Sequence, residues 1–211
     1  MRDSLSVQKR KAVQRGGSPM DAYKIPIRPF ITFLTFSAYP ELLPRCMESV
    51  KEQTAVDRIE HIIVPDYQLL GVGKGSAAKW AGVGRAATGQ YIHILDDDDV
   101  LTGRRVVEEL IEAYKGHRGD LPVMTVNYYR ENKHTMYPAQ PMDERPKLGH
   151  VCNGNYIYRW DVFQAVAPRV EPCYVSDWGL ADLAWTVGYH PHHLPIDFSH
   201  GKSSHGGQGG M

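Results

Sequence analysis

The sequence predicts an α/β fold in which a mostly parallel β-sheet is flanked by helices. Three short apolar runs, rich in β-branched and aromatic residues, have the length of buried strands, and helical segments separate them. The three runs are residues 30–36, 61–64 and 91–95. Strands that alternate with helices pair in parallel, because a parallel connection has to cross back over the sheet. Ligands of such sheets bind at the carboxyl ends of the strands, so functional residues are expected there.

Helical spacing of apolar residues supports the connections between these strands. Residues 40–53 repeat apolar side chains, among them Cys46 and Val50, on one face, which predicts an amphipathic helix. A glycine-rich loop over 71–75 precedes a second helix of small residues at 76–87. The loop lacks the Lys-Ser/Thr ending of a phosphate-binding P-loop, so the pattern does not indicate ATP hydrolysis.

The second half of the chain is less regular, and it contains no internal repeat. Its predicted elements are a helix at 106–114, a strand at 123–129, a Pro-rich loop at 136–146, a strand at 155–158, a helix at 177–187 and a final strand.

The composition is that of an ordinary globular protein. Of the 211 residues, 42% are hydrophobic and 23% are charged, which suits one domain of about 200 residues or two small ones. Basic and acidic residues each number 24, so the formal net charge is zero. The bulk charge therefore does not indicate nucleic acid or an anionic membrane as a partner. We expect a single domain over 30–211, preceded by a polar leader at 1–29.

The leader is locally basic, with Lys9, Arg10, Lys11 and Arg15. Two interpretations stay open. One is a mobile tail, as is common at chain termini. The other is a basic arm that contacts an anionic acceptor such as DNA or a phospholipid surface.

The cysteines and the hydropathy pattern predict a cytoplasmic protein without integral membrane association. Cys46, Cys152 and Cys173 are far apart and form no CxxC pair, which argues against a disulfide framework. No apolar run approaches the ~18–20 residues that a membrane span needs, and the first 20 residues lack the apolar stretch of a secretory signal.

Four consecutive aspartates, residues 96–99, follow the third predicted strand directly. Adjacent carboxylates repel one another unless a cation or hydrogen-bond donors offset their charge. Because the strand before them is predicted to be buried, they leave the sheet at the edge where ligands bind. Oxygen ligands suit Mg²⁺ or Mn²⁺, and such a cation on a diphosphate neutralises charge on the leaving group. A solvated acidic loop is the alternative.

Five blocks, within residues 30–205, follow one another in an order that is typical of a known family. They are ITFLTFSAYPELLPRCMESVKEQT (31–54), EHIIVPD (60–66), GQYIHILDDDDV (89–100), NGNYIYRWDVF (153–163) and SDWGL (176–180). Together they resemble the GT-A-fold glycosyltransferases, specifically the large inverting family 2, with the DxD motif in the third block and the acceptor side in the second half.

The resemblance implies a metal-dependent transfer of a sugar from a nucleotide diphosphate, expected to be UDP, to a hydroxyl acceptor with inversion. The implied donor-binding residues are Thr35, Ser37 and Asp66 near the base, Asp96 and Asp97 near the ribose, and Lys74 or Lys79 at the diphosphate. The implied ligands of Mn²⁺ or Mg²⁺ are Asp98 and His200. Asp177 occupies the position of the catalytic base.

Several positions depart from the family pattern. The usual Pro-Thr-Tyr-Asn after the first strand is TFSA here, and Ser176 replaces the Glu that commonly precedes the base. These changes bear on the donor nucleotide more than on the chemistry.

Each implied role has a plain structural alternative. Without the resemblance, Asp177 is simply an acidic residue at a helix start, where it stabilises the helix dipole. With it, Asp177 takes the proton of an acceptor hydroxyl that is a poor nucleophile at neutral pH. His190, His192 and His193 lie close together in sequence, but the absence of neighbouring cysteines argues against a zinc site.

Two competing functions remain beside the transferase. A nucleotidyltransferase needs a Gly-rich basic segment after the first strand, and FSAYPELL stands there instead. A catalytically inactive sugar-nucleotide or metal-binding module has no need of a base. The acceptor stays open among a saccharide, a small molecule, a protein and a modified nucleic acid that the basic arm would contact.

Overall fold

The computed structural model describes residues 28–37, 39–65, 83–117, 120–170 and 176–201. Within these ranges the strands are β1 (Ile31–Ser37), β2 (Ile59–Pro65), β3 (Tyr91–Ile94), β4 (Asp99–Leu101), β5 (Val123–Arg130), β6 (Thr135–Tyr137), β7 (Tyr156–Arg159) and β8 (Pro191–Gly201). The helices are α1 (Leu43–Lys51), α2 (Val106–Gly116), α3 (Trp160–Val166) and α4 (Ser176–Thr186).

The described strands form one mixed sheet in the order β2-β1-β3-β7-β5-β8-β4, with β6 paired to β5. The β1–β2, β1–β3 and β5–β8 pairs are parallel. The β3–β7, β4–β8, β5–β6 and β5–β7 pairs are antiparallel. The expectation of an α/β sheet flanked by helices is therefore confirmed, while the parallel arrangement is interrupted in the second half, where β7 runs against both of its neighbours.

Helices cover both faces of the sheet, as the alternation of side chains along the strands requires. Ile31 and Phe33 of β1 face a core that α1 and α2 complete. Leu34, one residue further on, faces a second core that α3 and α4 complete. Both cores are closed to solvent, so the sheet is a rigid support for residues at its edges.

The strand directions determine where the functional edge lies. Since β7 is antiparallel to both β3 and β5, and β8 is parallel to β5, strands β1, β3, β5 and β8 all run the same way. Their carboxyl ends meet at one edge of the sheet. The residues at or just beyond these ends are Ser37, the four aspartates 96–99, Arg130 and His200.

The structure contains elements that the sequence pattern did not predict. These are the three-residue strands β4 and β6 and the helix α3. His192 and His193, which were expected in a loop, lie inside β8. The glycine-rich loop at 71–75 and most of the helix predicted at 76–87 lie outside the described residues.

Candidate functional site

The four aspartates leave β3 in different directions. Asp97 is buried and its Oδ2 accepts a hydrogen bond from the backbone N–H of Tyr39 at 2.7 Å. Asp99 is buried as well, and its Oδ1 accepts a hydrogen bond from the Tyr128 hydroxyl at 2.8 Å. Asp96 and Asp98 are half-buried. The run is therefore not a solvated acidic loop, because two of its carboxylates are held by donors inside the protein.

Burial and mutual repulsion raise the pKa values of this cluster. The pKa of Asp96 is raised well above its usual range, first by burial and then by the charges of Asp99, Asp98, Asp97 and Asp177. Burial and the charge of Asp98 raise the pKa of Asp99 to about 7, against the opposing effect of Tyr128 and Arg130. A cation bound here would remove this repulsion and hold the carboxylates ionised.

Asp177 belongs to the same electrostatic cluster although it is far away in sequence. It lies in the first turn of α4, and its Oδ1 accepts a hydrogen bond from the backbone N–H of Trp178 at 2.7 Å. Burial raises the pKa of Asp177, and the Trp178 N–H and the charge of Arg130 offset part of that increase. A raised pKa brings a carboxylate closer to the basicity that proton abstraction needs.

Arg130 is a residue of this edge that the sequence analysis missed. It ends β5, and its guanidinium lies 5.5 Å from the centre of the Tyr137 ring. Its positive charge lowers the pKa values of Asp99 and Asp177, while its buried Nε has no hydrogen-bond partner among the described residues. A basic residue at the end of a predicted strand was the available signal.

The two predicted donor-binding residues of β1 have different surroundings. Thr35 is fully buried, and its Oγ1 lies 2.8 Å from His61 Nε2. Ser37 is 2% exposed, and its Oγ is a buried hydroxyl without a hydrogen-bond partner among the described residues. An unsatisfied buried hydroxyl is costly, so Ser37 is the β1 residue whose environment calls for an additional polar group.

Three other predicted donor-binding residues, Asp66, Lys74 and Lys79, lie outside the described residues. Their roles stay predictions.

His200 lies at the same edge and borders a cavity. Its Nδ1 is 2.6 Å from Oε1 of Glu131. It pairs with Val100 across the β4–β8 ladder, two residues along the chain from Asp98. The cavity measures about 250 Å³, and its lining comprises Thr102, Asn127, Tyr129, Met136, Asp197, Ser199 and His200. Asn127 donates a hydrogen bond to Asp197 at 2.9 Å, so the wall combines polar groups with the Tyr129 ring and the exposed Met136.

A divalent cation at this edge would draw few ligands from the protein. Among the described residues, no three His, Cys, Asp or Glu side chains surround one point. A site of one carboxylate and one imidazole, Asp98 and His200, therefore fits only if a diphosphate supplies further oxygens. Manganese accepts both kinds of ligand.

The clustered histidines of the sequence have separate partners. His190 packs against Trp185, with ring centres 4.4 Å apart. His192 packs against His117 at 4.1 Å, and the His193 Nδ1 lies 3.3 Å from Thr125 Oγ1. Among the described helices, none has the length and apolarity that crossing a bilayer requires.

Comparison with solved structures defines the fold. S. aureus TarS is 12% identical with a TM-score of 0.61, over 83% of this chain and 37% of that one. TarS 1–349 in complex with UDP-GlcNAc is 10% identical with a TM-score of 0.60, over 84% and 59%. A197 from STIV is 14% identical with a TM-score of 0.51, over 78% and 81%. The chain thus spans less than two thirds of the TarS chains.

The sheet, its flanking helices and these likenesses define a GT-A fold. Residues 71–170, just under half of the chain, match the glycosyl transferase family 2 model. The chain therefore belongs to glycosyl transferase family 2, carried on a GT-A fold. A search of curated proteins finds no match to the sequence.

Proposed function

We propose that this chain is a metal-dependent glycosyltransferase that moves a sugar from a UDP-sugar to an acceptor hydroxyl with inversion. The observation that carries the proposal is the meeting of Asp177 with the aspartates 96–99, since the charge of Asp177 raises the pKa of Asp96. A carboxylate suited to act as a base thus lies next to carboxylates suited to a cation.

The donor is assigned to the carboxyl ends of β1 and β3. The unsatisfied hydroxyl of Ser37 supports a polar ligand there, and the TarS 1–349 structures are complexes with UDP-GlcNAc and with UDP. Asp96 and Asp97 complete the described part of this proposed site. We take UDP as the nucleotide and leave the sugar open.

The metal is assigned to Asp98 and His200. A Mn²⁺ or Mg²⁺ ion that bridges the diphosphate would neutralise the negative charge that develops as the leaving group departs. Repulsion among the aspartates, which raises the pKa of Asp96 and Asp99, supports a cation at this place.

Asp177 is assigned the general base. It would accept the proton of the acceptor hydroxyl while the oxygen attacks the anomeric carbon, and a direct displacement of this kind inverts that centre. The partly offsetting charge of Arg130 helps to keep the carboxylate ionised and therefore able to accept the proton.

The acceptor is assigned to the cavity beside His200. Its mixed wall of amide, carboxylate, ring and thioether suits a small polar molecule or one ring of a saccharide better than a flat macromolecular surface. The basic leader, which would serve a nucleic-acid acceptor, lies outside the described residues.

Donor hydrolysis tests the proposal without knowledge of the acceptor, because water can replace the acceptor hydroxyl. We expect slow release of UDP from UDP-GlcNAc or another UDP-sugar in Mn²⁺. Asp177→Asn should slow the release by about 10²–10⁴-fold while UDP still binds. Asp161→Asn, an exposed carboxylate paired with Arg159, is the matched control and should match wild type.

Two results would reject the proposed reaction. UDP binding without release from any UDP-sugar would favour the inactive binding module. Release of pyrophosphate from UTP and a sugar 1-phosphate, with no UDP release, would favour a nucleotidyltransferase.

A further inference from the structure

His200 is held by a carboxylate on the adjacent strand. Its Nδ1 lies 2.6 Å from Oε1 of Glu131. An ionised carboxylate can only accept hydrogen bonds, so Nδ1 carries the proton. In the neutral ring, Nε2 is then the nitrogen with a lone pair, and it lies on the other side of the ring from Glu131.

The backbone fixes this contact from both sides. Glu131 opens the short turn Glu131–Lys133 that joins β5 to β6. His200 lies in β8, where it is the ladder partner of Tyr129 in β5. The Tyr129 hydroxyl lies 3.1 Å from Nδ1 of His134, just after the turn. Both members of the pair are therefore carried by hydrogen-bonded neighbouring strands.

We propose that Glu131 is a positioning residue that orients His200 and selects the tautomer in which Nε2 binds the metal. The inference rests on the proposed function, in which His200 is a ligand of the divalent cation. Metal-binding histidines commonly donate their second ring N–H to a carboxylate, which fixes the ring and makes the ligating nitrogen more basic. Glu131 has the atom type, the distance and the backbone support for that role.

The competing explanation is a surface ion pair with no role in metal binding. The two side chains are 30% and 26% exposed, and partly exposed pairs contribute little to stability. An ion pair of that kind would change thermal stability slightly and leave metal affinity unaltered. Metal affinity is thus the measurement that distinguishes the two explanations.

The experiment is a titration of Mn²⁺ by electron paramagnetic resonance at saturating UDP. We expect Glu131→Ala to weaken Mn²⁺ binding by about 10–100-fold. Glu131→Gln should lose less, because its amide oxygen can still accept the Nδ1 proton. Glu144→Ala is the matched control, since Glu144 also pairs with a basic side chain, Lys147, but in a different loop. It should bind Mn²⁺ like wild type.

A double-mutant cycle with His200→Ala shows whether Glu131 acts through the imidazole. Once His200 is absent, Glu131→Ala should cause no further loss of affinity. Modulation of the Mn²⁺ signal by a ring nitrogen should be present in wild type and absent in His200→Ala.

The inference is overturned if Glu131→Ala binds Mn²⁺ as wild type does, or if it weakens binding equally in the His200→Ala background. When His200→Ala weakens binding and Glu131→Ala does not, only the positioning role fails. When wild type with UDP binds no Mn²⁺, or His200→Ala matches wild type, the metal assignment of the proposed function fails as well.

Discussion

Replacing Gly201 with alanine places a methyl group in the hydrogen bond between Tyr128 and Asp99. Gly201 is the ladder partner of Asp99 in β4. A Cβ atom built on Gly201 comes closer to Asp99 Oδ1 and to the Tyr128 hydroxyl than real atoms approach each other. Neither neighbour can yield easily, because both side chains are buried.

The magnitude follows from two effects that act on the same contact. Overpacking in a closed site costs about 1–3 kcal/mol. Loss of a hydrogen bond to a charged group costs about 1.5–3 kcal/mol. Because the methyl group does both at one place, the costs overlap, and we expect a total of about 2–4 kcal/mol. For a chain of this size, that lowers Tm by roughly 4–16 °C.

The assay is thermal unfolding followed by circular dichroism. Gly103→Ala is the matched control, because a Cβ at Gly103 meets no atom within 4 Å, and it should unfold near the wild-type temperature. Gly201→Ala should also weaken Mn²⁺–UDP binding, since Asp99 adjoins the proposed ligand Asp98. A Gly201→Ala protein that unfolds within about 1 °C of wild type would refute the assigned packing of β4 against β8.

Two pH-dependent predictions follow from the same structure. Burial lowers the pKa of His61 from 6.5 to about 4, so its contribution to stability is full above pH 6.5 and lost as pH falls toward 4. His61→Gln should therefore remove up to about 1.4 kcal/mol per pH unit from the slope in that window, measured by urea denaturation; an unchanged slope would contradict the buried, neutral state. Burial raises the pKa of Asp177 and the Arg130 charge lowers it, so Arg130→Gln should move the acidic limb of donor hydrolysis to higher pH while Arg130→Lys should not. Identical limbs in wild type and Arg130→Gln would exclude Arg130 from the site.

The sequence predicted the parts of the fold whose pattern is local. Apolar runs and helical spacing anticipated β1, β2, β3, β5 and β7 and the helices α1, α2 and α4 within a few residues. The strands β4 and β6 escaped because three residues carry no periodicity. β4 also begins on Asp99, a residue with low strand propensity.

The site was predictable only where a residue has a chemical pattern of its own. The aspartate run is such a pattern, and the resemblance supplied Asp177 and His200. Arg130 and Glu131 have no distinguishing pattern in the sequence. Their surroundings arise from the register of β5 against β8, which pairs Tyr129 with His200 and Arg130 with Gly201, and register between distant strands is not a local property.

The proposal of a nucleotide-sugar site built around a bound cation is tested most directly by thermal stability with UDP, GDP, CDP and TDP. Each nucleotide is added with and without Mn²⁺, to wild type and to Asp98→Ala. Ligand at 100 times its Kd stabilises the native state by about 2.7 kcal/mol, which raises Tm by roughly 5–11 °C in a chain of this size. We predict that shift for UDP with Mn²⁺ in wild type and its loss in Asp98→Ala. No shift with any nucleotide and metal, or an equal shift in Asp98→Ala, would contradict the account.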